Sequence, residues 1–143
     1  MWFVFALLGA VMAAISVTFT KAGLEKVNPF LAFAIEAVLI LLISWSTVFF
    51  TKATEDFGKM DKKAWLFLIG AGVATTLASL FQFKALKDGH APAVSSIDRS
   101  SIIFTVLLAS FFLKEKLTWQ SMVGAGLIIA GAAFISLGKE GAK

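Results

Sequence analysis

Four ionisable residues stand inside stretches that are otherwise apolar. Glu36 lies within "FLAFAIEAVLILLISW", Lys84 within "LFQFKAL", and the adjacent Asp98 and Arg99 within "SSIDRSSIIFTVLL". An acid among apolar side chains can carry a proton or hold a cation, and a base can hold an anion. Ser95, Ser96, Ser100 and Ser101 surround the acid–base pair with hydroxyls that can serve a ligand, water or backbone carbonyls, and Gln82 adds an amide. Other chemistries are poorly supplied. With no Cys and only His90, the chain has no thiol chemistry and no metal cluster is expected. No nucleophile–base constellation occurs, so neither an enzyme nor a cofactor is expected.

These residues are held in a chain built for lipid. Of 143 residues, 59% are hydrophobic and 15% charged, and mean hydropathy is +0.88. A soluble domain is nearer half apolar and a quarter charged, so there are too few polar residues here to wrap a soluble core. The basic excess, 13 against 9, lies mostly in links between apolar runs, where it meets water and headgroups; a nucleic-acid partner is not expected. Apolar runs fall at about 2–20, 30–51, 64–83, 94–113 and 118–138, each long enough for a helix to cross about 30 Å of hydrocarbon. The first run lacks a charged start and exceeds a usual signal-peptide core, so it reads as a span and not as a cleaved leader. Residues 139–143 form a polar tail. Gly23 and Asn28-Pro29 mark the first link, Asp61 caps the third run, Gly89 and Pro92 mark the third link, and Thr118 caps the fifth run. Trp2, Trp65 and Trp119 sit near run ends, where indoles prefer the interface. The expected architecture is all-α, a polytopic bundle of five transmembrane helices, because backbone in lipid must satisfy its own hydrogen bonds.

Five spans place the four charges on one side of the membrane's midplane. Glu36 is about six residues into its run, roughly 9 Å down at ~1.5 Å per residue. Asp98 and Arg99 are about as deep, and Lys84 is near the end of its run on the same side. A lone charge near the bilayer centre costs about 2.5–3.5 kcal/mol on insertion scales. The four sum to zero, so meeting in the bundle interior would relieve that cost. Two readings follow: a neutral ion-pair network that sets helix packing, or a substrate or proton site in a central cavity. Glu36 is the candidate titrating group. Trp45, Phe81 and Phe83, with Gln82, would line such a cavity or simply pack. Small residues mark expected helix contacts: Gly124, Gly131 and Gly138 at seven-residue spacing with Gly126 nearby, Gly9 with Ala13, and Gly70 with Ala74. They serve the bundle or a second subunit.

Orientation is weakly specified. Lys52, Lys59, Lys62, Lys63, Lys114 and Lys116 lie on one side; Lys21, Lys26, Lys84, Lys87, Lys139 and Lys143 lie on the other. A fixed topology normally carries a cytoplasmic excess. Either one dominant link or a lipid effect decides, or the chain inserts both ways and two opposed copies pair. An odd number of spans makes such a ten-helix, inverted-repeat homodimer natural.

The segment from Phe81 to Leu137 resembles the EamA domain of the drug/metabolite transporter superfamily. The resemblance rests on the turn at Ala85-Leu86 and Gly89, on Ile97, Asp98 and Ser101, and on the "KEKLTW" hairpin followed by Gly124 and Gly131. "AAISVTFTKAGLEKVNPFLAFAIEAVL" is similar to the domain's start, so one domain of this type is expected over 1–138. Glu115 of the hairpin is retained, but Lys114 stands where the family usually has glycine. Two other positions depart from the short members: Glu36 stands where a base is usual, and Ser96 where a proline is frequent. The resemblance implies a ten-helix inverted-repeat transporter, here of the short five-span bacterial and archaeal type in a prokaryotic cytoplasmic membrane, and hence a homodimer. Family relatives move amino acids, other metabolites or drugs, commonly outward. A small-molecule exporter working by alternating access is therefore expected. The rival class is a non-transporting membrane scaffold or assembly subunit.

Overall fold

The computed structural model describes residues 1–112, 114 and 118–138. Glu115, Lys116, Lys139, Lys143 and the 139–143 tail lie outside the described residues. Among the described residues six α-helices run in order: α1 (Trp2–Gly23), α2 (Pro29–Phe50), α3 (Lys62–Asp88), α4 (Ala91–Arg99), α5 (Ile102–Phe112) and α6 (Trp119–Leu137), with a 3₁₀ segment at Ala53–Lys59 between α2 and α3. No strand occurs among the described residues. α4 and α5 together make one apolar stretch, so the described residues hold five helical stretches of membrane-crossing length. Almost nothing of these stretches is buried within the chain. Large apolar side chains such as Phe19, Leu42, Phe104 and Phe134 are exposed. A soluble protein would hide them; in lipid they face their own solvent.

The expected caps form. The Asn28 side chain accepts a 2.9 Å bond from the Phe30 N–H, with Pro29 opening α2. The Asp61 carboxylate accepts 2.8 Å from the Ala64 N–H at the start of α3. The Thr118 hydroxyl accepts 3.3 Å from the Ser121 N–H at the start of α6. Two lysines adopt left-handed backbone: Lys52 (φ 56°) after α2 and Lys114 (φ 54°) after α5. That conformation is costly for a residue with a Cβ and easy for glycine.

Two structural differences from the sequence reading matter. α3 continues to Asp88, about five residues beyond the expected end, because its polar last turn lies among the links, where lysine side chains reach water. The fourth span starts earlier, at Ala91, and is interrupted, so Asp98 is seven residues in, roughly 10 Å at ~1.5 Å per residue. Glu36 stands the same seven residues after the start of α2.

Close contacts divide the chain into two units, Phe19–Lys87 and Met1–Thr18 with the chain from Asp88 onward. In the first, α2 meets the 3₁₀ segment through aromatic rings. Trp45 stacks on Phe57 (centroids 6.2 Å apart, planes 12°), and Phe57 tilts against Trp65 (6.0 Å). At the other end Leu24 and Leu86 are the most deeply buried residues, 1% and 2% exposed. In the second unit α6 packs along α4 and also meets α5. The buried residues there are alanines: Ala93 on α4, and Ala125 and Ala132 seven apart on α6. The packed stripe thus lies one residue along from Gly124 and Gly131. A Cβ built at Gly9, Gly70, Gly124 or Gly131 would meet nothing within 4 Å, and one at Gly138 would meet only Phe134 and Ile135 backbone oxygens at 3.6 and 3.8 Å. Alanine already permits close helix approach, so α4 and α6 pack without the glycines.

Candidate functional site

Each unit holds a hollow with one charged residue in its wall. In the Phe19–Lys87 unit a hollow of about 270 Å³ is lined by Thr20, Gly23, Val27, Ala32, Ile35, Glu36, Leu39 and Phe83. Glu36 is half-buried and is the sole charged residue in that wall. Phe83, 7% exposed, meets Phe33 edge-on (centroids 5.3 Å) and presents an aromatic flank. An acid beside an aromatic ring in an apolar wall suits a proton or an organic cation with an apolar body.

In the same unit the chain at the end of α1 and the end of α3 are tied by a reciprocal lysine joint. Lys21 donates to the carbonyls of Leu86 (2.6 Å) and Lys87 (3.3 Å). Lys87 donates in return to the carbonyls of Leu24 and Glu25, the latter at 2.9 Å. The last carbonyls of a helix have no partner within it and carry the negative end of its dipole, so a neighbour's ammonium satisfies both needs. Leu24, just past α1, and Leu86, in the last turn of α3, are buried beside these bonded carbonyls. Sequence reading placed Lys21 and Lys87 only among the link charges. The available signal was a lysine in the last turn of each of two helices that must end on the same side.

In the second unit a cleft of about 390 Å³ is lined by Arg99, Ser101, Ile102, Thr105 and Ile128. It opens where the fourth span breaks. Ser100 and Ser101 N–H groups turn back to Ile97 and Asp98 carbonyls (3.0 and 3.1 Å), and Ile103 bonds Ser100 (3.2 Å), all three residues back instead of four. The Ser100 hydroxyl also donates to the Ile97 carbonyl. Among the described residues, the Ile102 N–H finds no acceptor and the Arg99 carbonyl no donor. Such a tightened turn inside a helix marks a bend.

The predicted site residues are distributed as follows. Glu36 and Lys84 belong to one unit, Asp98 and Arg99 to the other. Glu36, Arg99 and Ser101 line hollows; Lys84 is exposed on α3, and Gln82 is half-buried without lining the Glu36 hollow. Ser95 is half-buried on α4, Ser96 donates to the Pro92 carbonyl (2.7 Å), and Ser100 is committed to Ile97. Asp98 and Arg99 are both exposed and do not pair, since successive helical residues point about 100° apart. Of the expected aromatic lining only Phe83 serves; Trp45 belongs to the Phe57–Trp65 cluster and Phe81 is exposed. Thr105 and Ile128 were not anticipated.

Comparison with known proteins gives a consistent picture. The model of the EamA-like transporter family matches residues 1–137. A Sinorhizobium protein named as an uncharacterised transporter is 34% identical, the match covering 95% of this chain and 96% of that one. An uncharacterised protein of Methanocaldococcus jannaschii is 29% identical over 94% of this chain and 95% of its own. No solved structure matches the chain.

Proposed function

Starting from the fact that the chain belongs to the EamA-like transporter family and is a multi-pass membrane protein, we propose that it is a proton-coupled exporter of a small metabolite or drug. The observation that carries this is Glu36, a half-buried acid in an apolar, aromatic-flanked hollow at membrane depth. An acid held there can exchange a proton for a substrate as the hollow opens to one side and then the other. Glu36, Lys84, Asp98 and Arg99, with Gln82, Ser95, Ser100 and Ser101, are the polar groups of the transport route. The working form is an antiparallel homodimer in a prokaryotic cytoplasmic membrane. Support for pairing comes from the near balance of lysines on the two sides and from Gly131, exposed on α6 with open space around it.

The test is uptake by proteoliposomes under an imposed pH gradient, using ethidium as a cationic probe. The wild-type chain accumulates it, and Glu36→Gln, which keeps the shape and removes the titrating group, does not. Equal pH-driven uptake by the two proteins would remove Glu36 from the mechanism. Single cysteines in the second link and after residue 138 then report topology in intact cells, since the native chain has none. Labelling of each site from both sides is expected; one uniform orientation would end the antiparallel proposal.

A further inference from the structure

The cleft at the break in the fourth span is surrounded by hydrogen-bond donors that have nothing to donate to. The Arg99 guanidinium has no acceptor among the described residues, and neither has the Ser101 hydroxyl or the Ile102 N–H. All three belong to residues in the cleft wall. The remaining polar wall group, the Thr105 hydroxyl, is engaged with the Ser101 carbonyl (3.2 Å). Asp98 is next to Arg99 in sequence but is not part of the wall. Ile102 and Ile128 supply the apolar remainder.

Irregular backbone at membrane depth persists only where it is covered by protein or lines a wet cavity, because an unmatched N–H in hydrocarbon costs several kcal/mol. Arg99 is eight residues past the start of α4, roughly 12 Å at ~1.5 Å per residue, inside the fourth stretch of membrane-crossing length. Three free donors stand here against one free acceptor, the Arg99 carbonyl, and the excess asks for a ligand that accepts. We infer that this cleft is a binding site for an oxyanion carried on a small apolar body, and specifically for a monocarboxylate. The guanidinium fork matches a carboxylate with two parallel bonds. Charge selects against phosphate: one arginine neutralises a monoanion, whereas a dianion would leave a net charge in a low-dielectric site. The two isoleucines and a volume of about 390 Å³ fit an acid with a small ring or branched chain. This inference rests on the transporter reading, in which the cleft is part of the route; it names the ligand class of this cleft, separate from the Glu36 hollow that the ethidium assay probes.

The experiment measures binding of benzoate to the full chain in phosphatidylcholine nanodiscs by saturation-transfer NMR, with inorganic phosphate as comparison. Saturable benzoate binding is expected, with none for phosphate. Arg99→Gln weakens it roughly tenfold or more, as loss of a charge-assisted pair should. Arg99→Lys, which keeps the charge without the fork, weakens it less. Because Arg99 has no partner among the described residues, its substitution should leave the far-ultraviolet spectrum and thermal midpoint unchanged. Equal binding by wild type and Arg99→Gln would overturn the inference, as would equal binding of phosphate. Abolition of benzoate binding by phosphatidylglycerol in the disc would also overturn it, identifying a lipid headgroup as the occupant. Failure here is separable from failure of the transport reading. Arg99-dependent benzoate binding without any pH-driven uptake leaves the cleft and sinks the transporter; ethidium uptake without benzoate binding does the reverse.

Discussion

The joint between α1 and α3 and the break between α4 and α5 begin from the same problem and solve it in opposite ways. Both are places where a helix end leaves main-chain groups over, and both bring a cation to them. At the joint the cations and carbonyls match: Lys21 reaches Leu86 and Lys87, and Lys87 reaches Leu24 and Glu25. At the break the donors outnumber the acceptors, and Arg99, Ser101 and Ile102 surround an open cleft. A cation whose acceptors are supplied by the chain makes a fixed structural contact. One whose acceptors are missing makes a place for something else.

The largest stability effect should therefore come from the joint. Lys21→Met and Lys87→Met each remove a cation from two carbonyls. Such charge-assisted bonds contribute about 1.5–3 kcal/mol when well buried; these are only partly so, and about 1–2 kcal/mol per substitution is expected. The double variant should lose about 2–3 kcal/mol by denaturation in detergent. A double loss below about 0.5 kcal/mol would make the joint a surface accident and erase the contrast. Lys114 gives a smaller effect of opposite sign. Its left-handed φ of 54° is strained for lysine, so Lys114→Gly should gain about 0.5–1 kcal/mol in the same assay. A loss of stability there would mean the lysine side chain contributes more than its backbone strain takes away. The smallest effect belongs to the break: Arg99→Gln should change stability by less than about 0.5 kcal/mol, since no partner is lost. A loss as large as that of Lys21→Met would show Arg99 to be a structural residue after all.

Much of this architecture was legible in residue order. Five apolar runs of bilayer length, and the caps Asn28, Asp61 and Thr118, are local signals that need no tertiary knowledge. Glu36 and Arg99 were legible as site candidates because a charge in an apolar run stands out, and Ser101 because it is a hydroxyl close to Arg99. What depends on contacts across helices was not. Lysines at links look alike whether they face water or a neighbour's carbonyls, so Lys21 and Lys87 were counted as topology signals. Gly124 and Gly131 were marked for close packing, yet the neighbouring alanines Ala125 and Ala132 are the buried pair, because a small side chain one position along meets α4 equally well. The shift from four-residue to three-residue bonding at Ser100 and Ser101 lacks a glycine or proline at the break itself, which leaves the serines as its only sequence mark.

The most direct test of the claim that this polar wall faces water within the membrane is thiol accessibility at Ser101. The chain has no cysteine, so Ser101→Cys is a single reporter. In proteoliposomes it should react with a charged, membrane-impermeant thiol reagent at a rate near that of a cysteine at Lys52 in the second link, and benzoate should slow it. Phe104→Cys, three residues along on the exposed face of α5, should not react. A Ser101→Cys variant as inert as Phe104→Cys would place the break in dry hydrocarbon and contradict a wet route through the fourth span.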